Sequence, residues 1–120
     1  MVMLILIVLG AFFKGVMDSL QFHYQNSIFR NLNAQYWDPS KSWRNKYKGG
    51  DPSLGPKFIG STTFLVWISD GWHLMQMFFL NSMILAIVFY TNIFNIWIDF
   101  IILTLLFKII FQCLYTNFKR

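Results

Sequence analysis

The order of apolar and polar positions divides the chain into three long apolar segments, Met1–Phe13, Leu74–Tyr90 and Ile93–Tyr115. A helix needs about 20 mostly apolar residues to cross a bilayer. The first segment approaches that length if its helix continues past Lys14, whose long stem lets the charge reach the headgroups. The pattern predicts an all-α membrane protein with three transmembrane helices and a basic, aromatic-rich loop between helices 1 and 2.

Helical periodicity and turn residues set the predicted boundaries within a single integral membrane domain, residues 1–120. Apolar residues recur at helical spacing beyond Lys14 and predict an extension of helix 1 outside the bilayer. Asp38-Pro39 and Gly49–Pro52 are turn signals. The predicted elements are helix 1 at about residues 2–31 with its extension, a loop at about 33–60, helix 2 at about 62–90 and helix 3 at about 93–115.

Composition supports the same class of protein. Of the 120 residues, 56% are hydrophobic and only 12% are charged. A soluble fold this small could not bury so much apolar surface. The N-terminal segment lacks the basic start and small-residue cleavage site of a secretory signal, so we expect it to be a membrane anchor.

The basic residues predict an orientation. Nine of the ten Lys and Arg residues lie between Lys14 and Lys57 or at Lys119–Arg120, whereas the link Thr91–Asn92 has none. Positive flanks normally stay on the cytoplasmic or internal side of a membrane. The N-terminus is therefore expected outside and the C-terminus inside, in the inner or plasma membrane of a cell or in the internal membrane of a virion.

Polar residues inside the apolar segments form a candidate functional layer. If helices 2 and 3 form a hairpin about Thr91–Asn92, residues whose numbers sum to about 183 share a depth. If helix 1 is antiparallel to helix 2, the corresponding sum is about 91. These relations predict that Asn81 meets Thr104, that His73 and Gln76 meet Lys108, and that Asp70 meets Gln112. The predicted interhelix layer comprises Lys14, Asp18, His23, Asp70, His73, Gln76, Lys108 and Gln112.

Three interpretations of this layer stay open. Hydrogen bonds and an Asp–Lys pair fix helix register in membrane bundles. A path for protons or ions is the second, because ionisable groups in spans mark such pathways. A metal or acid–base site of two Asp and two His is the weakest, since no His-x-x-x-His spacing supports it.

Asp99 stands apart from the layer and is expected to reach the headgroups or a neighbouring subunit. We predict no catalytic residue, metal or cofactor.

The loop interleaves cations with aromatic rings. Anionic headgroups attract such cations, and Trp and Tyr favour the membrane interface. A protein partner, single-stranded nucleic acid bound by phosphate contacts and base stacking, and a role in topology alone are the alternatives. The predicted contact residues are Lys41, Trp43, Arg44, Lys46, Tyr47 and Lys48.

The remaining chemistry narrows the function classes. Cys113 is the single cysteine, which excludes an internal disulfide and a cysteine-based zinc site within one chain. The Gly-x-Ser-x-Gly, P-loop and Rossmann patterns are absent from the sequence. We expect a non-enzymatic subunit that works by assembly with other membrane proteins or as a homo-oligomer, in a membrane complex or a lipid-containing virion. The alternatives are a holin-like or ion-conducting protein and, less favoured, a small membrane enzyme using Asp and His.

Overall fold

The computed structural model describes residues 1–118, whose helices are joined by turns and by short irregular segments that include an isolated β-bridge between Tyr47 and Pro56. The helices are α1 (Val2–His23), α2 (Ala34–Trp37), α3 (Pro39–Ser42), α4 (Gly71–Val88) and α5 (Ile96–Phe118). Three of them, α1, α4 and α5, are long and apolar enough to cross a membrane. This confirms the predicted all-α fold with three candidate spans. Lys119 and Arg120, counted above among the basic flanks, lie outside the described residues.

Helix α1 is the centre of the bundle. Both α4 and α5 pack along it, whereas α4 and α5 make only sparse contacts with each other. The Phe13 and Phe78 ring centroids lie 5.2 Å apart, and Gly10 lies against Met83, so α1 and α4 are antiparallel with a sum close to the expected 91. Gly15 lies against Leu114 and Phe118 of α5. The predicted close hairpin between the second and third spans is therefore replaced by two helices on either side of a third.

Residues 24–70, here called the cap, fold into short helices and turns at one end of the bundle. We call this the cap end, and the opposite end, at residues 89–95, the link end. A hydrophobic core joins the cap to all three long helices. Its buried members are Val16, Leu20, Tyr24 and Phe118, with Phe29, Trp37, Trp72, Met75 and Leu114 packed against them. The cap is thus a part of the fold rather than an independent loop.

The helix boundaries differ from those expected. Helix α1 ends at His23 rather than near residue 31, and single 3-10 turns follow at Tyr24–Asn26 and Ile28–Asn31. The Ser27 hydroxyl donates to the Tyr24 carbonyl and accepts from the Phe29 N–H. These side-chain bonds satisfy backbone groups that a continuing helix would otherwise use, so the chain turns here.

The second span starts later than expected. Helix α4 begins at Gly71 rather than near residue 62, because Asp70 is its N-cap and has extended backbone geometry. The preceding residues form turns, including a 3-10 helix at Val66–Ile68. Helix α5 begins at Ile96 rather than 93, since the Asn95 side chain accepts from the N–H groups of the next turn. In both helices a short polar side chain sets the start.

Candidate functional site

The best-defined polar group of the predicted layer is at the start of α4. Asp70 is 2% exposed. Its Oδ1 accepts from the His73 backbone N–H at 2.9 Å, and its Oδ2 lies 2.7 Å from the His73 Nδ1. The Ser69 hydroxyl donates to the same carboxylate at 3.3 Å. One carboxylate therefore caps the helix and fixes the imidazole ring.

The cap holds this helix start in place through its own backbone and side chains. The Asn45 amide donates to the Ser69 carbonyl at 3.0 Å and to the Gln35 carbonyl at 2.7 Å. The Trp37 ring lies so close to Gly71 that a Cβ there would overlap it. Two separate turns of the cap are thereby joined to the first residues of α4.

Burial of the Tyr36 phenol, with the negative charge of Asp70 adding to it, raises the pKa of Tyr36 above its ordinary value. The direction follows because both a low-dielectric environment and a nearby anion disfavour the phenolate. Tyr36 therefore remains a neutral phenol across the physiological pH range.

The α1 members of the predicted layer have other neighbours. Lys14 forms an ion pair with Asp18 one turn along the same helix. The His23 ring lies 5.5 Å from that of Tyr115 in α5. These residues share the cap half of the bundle with Asp70 and His73, but the pairs form within or beside α1 rather than with Asp70. The depth relations thus placed these α1 residues in the correct half of the bundle but did not predict which side chains they contact.

The α5 residues that were predicted to join the layer do not contact its other members. Lys108 and Gln112 are exposed, and the Gln112 amide donates to Thr116 on its own helix at 3.1 Å. Asn81 likewise donates to the Met77 carbonyl of α4. The predicted meetings of Lys108 with His73 and Gln76, of Asp70 with Gln112, and of Asn81 with Thr104 are not present as hydrogen bonds. The reason is that α1 lies between α4 and α5.

The chemistry open to the Asp70–His73 pair is limited by its surroundings. A cavity of about 80 Å³ beside it is lined by Pro39, Ser42, Trp43, Asp70, Trp72 and His73. An oriented imidazole is the arrangement of a general base, yet the described bonds of His73 go to Asp70 and not to Ser42. Among the described residues, no group of three His, Cys, Asp or Glu could hold a metal ion.

Asp99 has a structural role that differs from the predicted one. It is 1% exposed and accepts from the N–H groups of Ile93 and Phe94 and from the Tyr90 hydroxyl, all at 2.9–3.1 Å. The expected contact with headgroups or a neighbouring subunit is therefore replaced by bonds within the chain. Burial, together with the bond to Asp99, raises the pKa of Tyr90. An Asn at the N-cap followed four residues later by Asp was the available signal.

The basic aromatic segment packs largely on itself. The Arg44 guanidinium lies 5.2 Å from the Trp43 ring, and the Lys46 amine lies 5.6 Å from the Tyr47 ring. The Lys46 carbonyl accepts from the Ser61 hydroxyl, which ties the segment to the rest of the cap. Of the predicted contact residues, Lys41, Trp43, Arg44 and Lys48 are exposed, and Lys46 and Tyr47 are partly buried.

Comparison of the chain with known protein families, curated proteins and solved structures finds no match.

Proposed function

We propose that this protein is a non-catalytic membrane subunit that works by assembling with other proteins, in a cell membrane or in the membrane of a lipid-containing virion. The observation that carries the proposal is the uneven burial of the three long helices. Helix α1 buries residues along most of its length, whereas α5 buries Asp99 and Phe118 alone among its described residues. One full face of α5, which includes a lysine, is left for lipid or a partner.

The use of the carboxylates supports the same proposal. Asp18 is paired with Lys14, Asp70 caps α4, and Asp99 holds the link between α4 and α5. Each contact stabilises the fold. Three acidic groups of the bundle thus act as structural residues, as expected of a protein whose task is assembly.

Purification in mild detergent from the native source tests this proposal. We expect the chain to elute in a stoichiometric complex whose native mass exceeds that of the 14.3 kDa monomer and contains at least one other membrane protein. Native mass spectrometry gives the composition. A chain that is monomeric at every detergent concentration that preserves its helices would contradict the proposal.

We further propose that the cap faces the cytoplasm or virion interior. Its exposed cations include Arg30, Lys41 and Arg44, while residues 89–95 of the link carry no charged side chain. In a Cys113→Ser background, cysteine at exposed Ser53 in the cap is expected to resist a membrane-impermeant maleimide in intact cells. Cysteine at exposed Thr91 in the link is the matched control and should react. The reverse pattern would overturn the orientation.

A holin-like or ion-conducting function is the second candidate. The exposed polar residues Lys108, Gln112 and Thr116 of α5 favour it, because they would line a channel if several copies packed through this face. Release of a trapped dye from liposomes that contain the purified chain would support this candidate. Retention of the dye at high protein loading would eliminate it.

A further inference from the structure

Helix α5 carries a line of exposed polar residues, here called the α5 stripe: Lys108, Gln112 and Thr116, spaced four residues apart. All three are exposed, and this spacing places them on one face of the helix. Gln112 donates to Thr116 within the stripe. Among residues 1–118, no hydrogen bond or ion pair is formed by the Lys108 amine.

Lys108 lies near the middle of the candidate span. It is separated from Ile96 by about 18 Å and from Phe118 by about 15 Å at the usual helical rise. Its neighbour Phe107 lies level with Phe79, their ring centroids 6.3 Å apart, and Phe79 is half-way along α4 (Gly71–Val88). Positions on both helices therefore place Lys108 near the middle of the span. A charge in that position is costly unless another group faces it.

Residues 1–118 provide no carboxylate that is free to face it. Asp18 is paired with Lys14, and Asp70 and Asp99 are 2% and 1% exposed and already hydrogen-bonded. Asp38 is buried in the cap, and Asp51, although exposed, also belongs to the cap. A second copy would bring the same engaged carboxylates. Headgroup phosphates lie about 15 Å from the centre of the hydrocarbon, so they are too far away to neutralise the Lys108 charge.

We propose that the α5 stripe binds a transmembrane helix of a different protein, one that carries a carboxylic side chain near the middle of its span. Charge complementarity selects this partner, because Lys108 offers a cation and Gln112 offers an amide on the same face. The apolar residues Ile109 and Phe111 border the surface on which Lys108, Gln112 and Cys113 lie and would pack against the partner helix. The inference rests on the assembly function proposed above and names its interface.

The test uses the full chain in phosphatidylcholine vesicles, with a donor dye on Ser53→Cys in the Cys113→Ser background. The probes are two acceptor-labelled model helices of about 21 leucines and alanines, one with Glu at its centre and the other with Leu there. We expect energy transfer to show about fivefold tighter binding of the Glu helix, the scale of one interhelical polar contact. Lys108→Leu should remove the difference and Lys108→Arg should keep it.

Lys57→Leu in the cap is the matched control and should leave the preference for the Glu helix unchanged. Equal binding of the two helices by the unmodified chain, or a preference that survives Lys108→Leu, would overturn the inference. So would energy transfer between donor- and acceptor-labelled copies of the chain that Lys108→Leu abolishes, since the occupant would then be a second copy.

The two proposals fail separately. A native complex that stays intact in the Lys108→Leu variant would place the interface elsewhere and leave the assembly function standing. A monomeric protein in its native membrane would remove the assembly function, whatever the model helices show.

Discussion

Replacing Asp70 by alanine is expected to destabilise the folded protein by about 3 kcal/mol. The change removes the N-cap of α4, which typically contributes about 1 kcal/mol, and it leaves the partly buried His73 imidazole without its charged acceptor, at about 2 kcal/mol more. The Ser69 hydroxyl keeps its bond to the Val66 carbonyl. The loss should appear in equilibrium unfolding in mixed detergent and dodecyl sulfate micelles. Amide exchange in the first turn of α4 should accelerate with it.

Two further variants separate the causes. Asp70→Asn keeps an oxygen that accepts from the His73 backbone N–H. It should therefore retain most of the N-cap stabilisation of α4 and lose mainly the bond to the imidazole. Asp51→Ala removes a similar capping carboxylate from an exposed turn of the cap. It should change stability little, because water replaces the lost acceptor. An Asp70→Ala protein as stable as the unmodified one would show that the buried carboxylate is not needed at the helix start.

Gly71→Ala is expected to be the other severe change, with a cost of about 1–3 kcal/mol from overpacking. The added methyl would occupy the space of the Trp37 ring, and that ring packs against the core that joins the cap to the bundle. Moving the ring therefore loosens the cap. Unfolding curves would give the cost, and limited proteolysis between residues 24 and 70 would show whether the cap opens.

Gly10→Ala is the matched control in the same kind of helix. Its methyl would meet the terminal methyl of Met83, which is flexible and can move at small cost. Combining Gly71→Ala with Trp37→Leu should be less destabilising than the two single changes added together, since the smaller side chain makes room. Strict additivity of the two would show that the contact between these residues does not limit the packing.

The candidate spans could be predicted because membrane insertion depends on the length and apolarity of a segment, which are visible in the order of residues. The antiparallel pairing of α1 and α4 could also be anticipated because consecutive spans cross a membrane in opposite directions, and the Phe13–Phe78 contact has the expected register. The start of α4 was missed for a physical reason. Phe64–Ile68 is as apolar as a span, and hydropathy alone cannot show that Asp70 caps the helix after it.

The arrangement of the polar layer could not be predicted from pairs of helices. Depth matching places residues along the membrane normal and says nothing of which helix lies between which others. The sequence does contain a signal for which helix is central. Ala11, Gly15 and Ser19 are spaced four apart and are all buried, the small-residue pattern that allows close helix contacts in membranes. This pattern marks α1 as the helix that others approach, and therefore separates Asp70 and His73 from Lys108.

The central place of α1 also bears on how the protein can be built. Since α4 and α5 share few contacts, the second and third spans do not form a stable pair of their own, although they are joined by a short link. We therefore expect α4 and α5 each to dock on α1, which is synthesised before them. The first span thus acts as a scaffold for both later helices, with Gly10 lying against Met83 of α4 and Gly15 against Leu114 and Phe118 of α5.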